Sequence, residues 1–498
     1  MEKTYLRFVC VEVMERMARC DALLAKLATT AAHGNRHVLD VIQGLQARLA
    51  VLEGKLIEER ELLSALLSDT GNAPAQDRQA LMRLLSLSYQ ALCQITQVLT
   101  PLEASQMVSS RTNEGDIQPE IYFFLKDALP EAIQPEDSIC TVVVGSEGKT
   151  AQAQIEETLC ALQLQQVQFA WLSILQQDNP LAWVSLSEPA LKGLAGQAIQ
   201  KADKALASVL KQITQELEKD AGRAGLETAT ILQHALGLRI FGPAYYFQLT
   251  AQSLLSYESI EHGGERVAKR TGGQLSPEAF AIVENALFYG LNHFNVAHNQ
   301  TVILHEAGER LLKEQNAKTT MLSQSLLADL FKASEKLIQE RFAFNAKHLE
   351  RAIQLKERLA EGILLSSASV FPMSEVAQAF DKAAKEQRGQ GESEEAAEGS
   401  FPIYPLLSMT TEYPHTPREI INAGWLHKVE RGGVWAFAAL QEETSQGLGG
   451  QKLSAAAPQV AYQKLAGLFS AQDHLLAKSI ETAELHRVLL CTPEPARA

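Results

Sequence analysis

Apolar side chains in the first hundred residues recur in alternating steps of three and four. Val38, Ile42, Leu45, Leu49, Leu52, Leu56, Leu63 and Leu66 keep this spacing, with Glu59 at the one gap. Leu81, Leu85, Leu92, Ile95 and Leu99 repeat it around Ser88, and Leu6, Val9, Val13, Cys20, Leu23 and Leu27 do so with a break at Arg16. Such spacing lays one apolar stripe along each of three helices. The breaks, Ala32-His33-Gly34-Asn35 and Asp69-Thr70-Gly71-Asn72-Ala73-Pro74, are rich in turn formers. Short connections make sequential helices antiparallel neighbours, so residues 1–102 are expected to form an up-down-up three-helix bundle.

The texture changes after Pro101. Ser138 to Val144 is short, β-branched and bounded by turn residues, which predicts a buried strand. A helix from about Thr150 to Leu164 follows, then strands over Val167–Leu175 and Leu181–Ser187, so residues 113–188 read as a small inserted α/β layer. Residues 189–370 return to helix. They carry one apolar face through Ile199, Leu206, Val209, Ile213 and Leu217, and a longer one from Leu327 to Ile363. Ser276-Pro277-Glu278 supplies an N-cap, a proline at the first helical position and an acid in the first turn. The run KEQRGQGESEEAAEGS at 385–400 has almost no apolar side chain to offset the entropy of ordering, which predicts an acidic flexible linker. A small C-terminal α+β unit over 401–498 is expected. Thr416-Pro417-Arg418-Glu419 is a capping box opening a helix to Leu426, and Val429–Phe437 reads as a hairpin turning at Gly432-Gly433. The fold class is therefore mainly α and multi-domain.

Composition narrows the function. A formal charge of −14 argues against contact with a nucleic-acid backbone or an anionic membrane surface; the densest basic stretch is Arg266, Lys269 and Arg270. The six cysteines are scattered with no C-x-x-C, which points to a reducing, cytoplasmic setting. Glu12, Glu15 and Arg16 interrupt the apolar N-terminus, which leaves no clean signal-peptide core.

Two stretches carry candidate chemistry. Gly145-Ser-Glu-Gly148-Lys149-Thr150 stands between an expected strand and an expected helix, the context in which backbone N–H groups cradle phosphate and lysine reaches its outer oxygens. The run has two residues between its glycines where a Walker A loop has four, so a polar turn entering a helix is the plainer reading. On one continuous helix His298, His305 and Glu309 would share a face, a workable set of metal ligands. Bundle metal sites draw on several helices, however, and His305-Glu306 lacks the second histidine of H-E-x-x-H. No cofactor follows from either stretch.

The expectation is a non-catalytic helical interaction, scaffold or regulatory protein. It would meet protein partners or itself through coiled-coil-like helix faces, including residues 38–66. A nucleotide-binding regulator or enzyme using residues 145–150, and a helical metalloenzyme using residues 293–309, are the alternatives.

Overall fold

The computed structural model describes residues 2–31, 36–59, 62–63, 75–110, 121, 124–125, 127, 139–145, 167–176, 179–218, 228–255, 257–262, 265–270, 277–292, 322–367, 415–430, 432, 465–470, 472–481 and 483. They are mainly α, about 90% helical. Helices α1 (Glu2–Ala31), α2 (Arg36–Glu58) and α3 (Ala75–Ser110) pack on one another. The three-and-four spacing supplies their core: Ile42, Leu49 and Leu56 of α2 meet Val13, Met17 and Leu24 of α1 and Leu85, Leu92 and Leu99 of α3. The α2 stripe is thus consumed inside the chain, and the large apolar residues α2 leaves exposed are Val41 and Val51.

Strands β1 (Ile139–Gly145) and β2 (Val167–Ser173) pair in parallel, from Ile139 opposite Val167 to Gly145 opposite Ser173. The strand expected over Leu181–Ser187 is instead a 3-10 helix, Pro180–Ser187. Its residues are buried on nearly every side, so apolar character alone does not distinguish the two states. The ends decide it. Asn179 caps the Leu181 N–H at 3.0 Å, Pro180 takes the first position, and the Ser185 and Ser187 hydroxyls donate to carbonyls three residues back.

Helices α4 (Glu188–Gln200), α5 (Lys204–Glu218), α6 (Thr228–Phe241), α7 (Pro243–Leu255), α8 (Pro277–Asn292), α9 (Gln324–Glu335) and α10 (Ala346–Ser367) build the second core. The single long face expected from Leu327 to Ile363 is two helices. Ser323 caps the first, and Asn345 accepts from the Lys347 and His348 N–H groups to open the second. The stretch assigned to helix also contains an antiparallel pair, β3 (Tyr257–His262) and β4 (Glu265–Arg270), so the basic residues 266, 269 and 270 are strand positions. Gly242, between α6 and α7, has φ +68, and a Cβ there would overlap the Phe344 ring. Only glycine suits that corner.

Helix α11 spans residues 417–430, residues 465–470 are helical, and α12 spans residues 472–481. Thr416 and Glu419 exchange the two bonds of the capping box, at 3.0 and 3.3 Å. Val429 and Glu430 are helical, as is Gly432, in place of the first hairpin strand. Val429 still has a core to pack on, which carries the helix past Leu426. Residues 433–437 and the expected linker at 385–400 lie outside the described residues.

Helix α11 is among the most enclosed segments. The Trp425 indole donates to the Leu181 carbonyl at 3.0 Å and stacks on Phe247. The Asn422 amide donates to Phe241 O at 2.7 Å and accepts from Ala244 N at 2.8 Å, which satisfies backbone groups freed where α6 turns into α7. Arg418 donates to the carbonyls of Ile240 and Phe342 and pairs with Asp127 at 3.0 Å.

Candidate functional site

Of the residues singled out for phosphate binding, Gly145 ends β1, opposite the last residue of β2. Gly148, Lys149 and Thr150 lie outside the described residues, as do His298, His305 and Glu309. Among the described residues no group of three or more His, Cys, Asp or Glu side chains could hold a metal ion.

The densest charge in the described structure is buried. On α1, Glu12, Glu15, Arg16 and Arg19 follow at three- and four-residue steps and so face one way. Arg16 Nη1 pairs with Glu12 Oε2 at 2.6 Å. Arg19 grips Glu15 Oε1 through Nε and Nη2 at 3.0 and 2.7 Å, and reaches Asp473 Oδ2 of α12 through Nη1 at 2.6 Å. Lys428 of α11 completes the set, with Nζ 2.5 Å from both Glu12 Oε1 and Glu15 Oε2. The Asn179 amide donates to Glu15 Oε1 at 3.3 Å. Three acids face three bases, so the formal charges cancel.

Environment separates the acids. Burial pushes the Glu15 carboxyl up, but Lys428, Arg19 and Arg16 overcome it and hold its pKa at about 2. Asp473 is pushed up by burial to about 7, with Arg19 only partly opposing and Glu15 adding to the rise. Such an assembly fixes three helices and the 3-10 segment in one register. It exposes no reacting group to a substrate. Along the sequence Glu12, Glu15 and Arg16 stand out only as interruptions of an apolar stretch, and nothing near Lys428 points to them. The legible signal was a pair of acids each followed four residues on by a base, Glu12 with Arg16 and Glu15 with Arg19, among apolar neighbours.

A second cluster surrounds Glu419, which is fully buried. Its carboxylate meets Arg351 Nη1 at 3.4 Å, His415 Nδ1 at 3.3 Å and the Thr416 N–H at 3.0 Å, with His348 Nε2 at 4.0 Å. The Asn345 N–H donates to His348 Nδ1, which leaves Nε2 to carry the proton of a neutral ring. Burial lowers the His348 pKa, against the pull of Glu419. The carboxylate is spoken for on both oxygens, by a helix cap and by three side chains.

The outward faces of α2 and α3 differ in kind. Val41 and Val51 are 43% and 59% exposed, and Leu87 and Val98 are 49% and 40% exposed. They make up four of the six exposed large hydrophobics among the described residues. The Arg48 guanidinium donates to Gln94 Oε1 and ties the two faces side by side. No described helix is long and apolar enough to cross a membrane.

Comparison with family models, with curated proteins and with solved structures gives no match for this chain.

Proposed function

We propose that this protein is a non-catalytic helical interaction protein whose α2–α3 outer face receives a protein partner or a second copy of the chain. The concentration of exposed valine and leucine on these two helices carries the reading. Isolated surface apolar residues need no explanation, whereas four of the six exposed large ones among the described residues falling on two paired helices do. The absorption of the clustered charges into internal pairs supports it, because the described acids and bases that gather in space stabilise one another. Within this reading the N-terminal antiparallel bundle over residues 1–102 is the interaction module. The α/β layer, the second helical region and the C-terminal α+β unit form the body that holds it.

A photo-reactive side chain placed at residue 51 or 87 of the full chain tests this. It should form an adduct with a defined partner peptide, or with the chain itself, that the same probe at the exposed Lys211 of α5 does not form. Val51→Asp together with Leu87→Asp should abolish the adduct. Equal labelling from all three positions removes the proposal.

A second reading, nucleotide or phosphate binding, rests on one observation. Gly145 closes β1 at the carboxyl end of a parallel pair, the end where open α/β sheets take ligands. Mg-ATP or Mg-GTP should then raise the melting temperature, and Lys149→Ala should cancel the shift. No shift with either nucleotide ends this reading.

A further inference from the structure

The three buried acids of the α1–α11–α12 junction are not equally supported. Glu15 has Lys428, two nitrogens of Arg19 and the Asn179 amide. Glu12 has Lys428 and Arg16. Among the described residues Asp473 has an ion pair with Arg19 alone, and that guanidinium already serves Glu15 through its other edge. Neither Asp473 oxygen has a hydrogen bond of full geometry, although the residue is 5% exposed. A buried carboxylate with one shared cation is under-compensated, because its dehydration exceeds what half a partner returns. Access differs as well: Arg19 is the most exposed of the six side chains, at 12%, so the Asp473 end of the cluster lies nearest to water.

We propose that Asp473 makes the docking of α12 on α1 proton-dependent, tighter when its carboxyl carries a proton and looser when it is ionised. The groups facing it are Arg19 and Glu15 of α1 and Lys428 of α11. Glu12 and Arg16 stand further along α1, His427 beside Lys428, Asn179 at the 3-10 segment, and Gln472 and His474 on α12 itself. Protonation removes the costly ionised form and leaves Arg19 on Glu15 through Nε and Nη2, so the contact with α1 loses one ion pair and no partner of Glu15. The raised pKa fixes the sign. The docked state holds a proton up to about pH 7 that a solvated aspartate releases near pH 3.8, so acid favours docking and the advantage is lost as pH rises through the docked-state value.

Hydrogen exchange of residues 472–481 in the full chain, corrected for intrinsic rates, tests this. Opening should increase about tenfold between pH 6 and pH 8, the ratio that a pKa near 7 closed and near 3.8 open gives. Asp473→Asn, neutral at every pH, should flatten the dependence, whereas titration of His427 or His474 would survive that change. An identical pH dependence in both proteins overturns the proposal. Should the variant not fold, the carboxyl carbon resonance of Asp473 in the natural sequence decides: a midpoint in the neutral range supports the proposal, and one below pH 5 overturns it.

Discussion

Replacing Lys428 by methionine keeps most of the volume of the side chain and removes its charge. In the native protein its amine lies 2.5 Å from Glu12 Oε1 and from Glu15 Oε2, and none of the three side chains is more than 2% exposed. Without it two dehydrated carboxylates face each other, and the cluster loses one positive charge. Breaking a buried pair from one side costs about 3–5 kcal/mol. Glu15 gives an independent scale. Holding its carboxyl at about 2 rather than 4.5 corresponds to about 3 kcal/mol, of which Lys428 supplies a part and Arg19 and Arg16 the rest. The expected loss therefore lies toward the lower end of the range, about 3 kcal/mol. Urea unfolding at pH 7, followed by far-ultraviolet circular dichroism, should show it as a lowered midpoint with an unchanged slope. Adding Glu12→Gln to Lys428→Met restores charge balance and should recover a large part of the loss. A single variant within about 1 kcal/mol of the natural protein, or a double variant less stable than the single, would refute the view that these ions are mutually stabilising.

The depressed Glu15 pKa adds a contribution that is present above about pH 4.5 and lost as pH falls toward 2, so Glu15→Gln should unfold with a shallower acid limb than the natural sequence. Gly44 and Gly54 lie within α2 with open space where a Cβ would stand, so alanine at each should raise stability by about 0.5–1 kcal/mol, measured by thermal melting. Gly242→Ala should lower it, since its φ of +68 and the Phe344 ring both oppose a side chain. Burial pushes the Cys10 thiol up to about 12, so iodoacetamide at pH 8 should leave Cys10 unmodified in the folded protein while the half-buried Cys93 reacts.

What could be read from the sequence was what repeats along it. Ile42, Leu49 and Leu56 announce their burial because a helix returns to the same face every three or four residues. The capping box at Thr416 and Glu419 is equally local, since both its bonds close within four residues. The 3-10 segment escaped because a run buried all round has no period, and its identity rests on Asn179 and Pro180 at one end. The β3–β4 pair was hidden by glutamate, lysine and arginine at positions where apolar alternation was sought. Lys428 was beyond reach for a different reason: its partners are distant along the chain, and an ion pair leaves no mark in the residues around either end. The α2 stripe fills the bundle core as its spacing predicts, and the large apolar residues it leaves exposed are Val41 and Val51.

Roughly four hundred residues separate Arg19 from Lys428, and this spacing matters to the protein as it is made. At ordinary rates of synthesis α1 is made about 20 to 80 seconds before Lys428, the cation that bridges Glu12 and Glu15. During that interval its four charges remain in water, and they discourage the emerging helix from settling into any greasy groove offered too soon. The same residues that hold α1 to α11 and α12 in the folded molecule thus keep it hydrated until those distant partners exist.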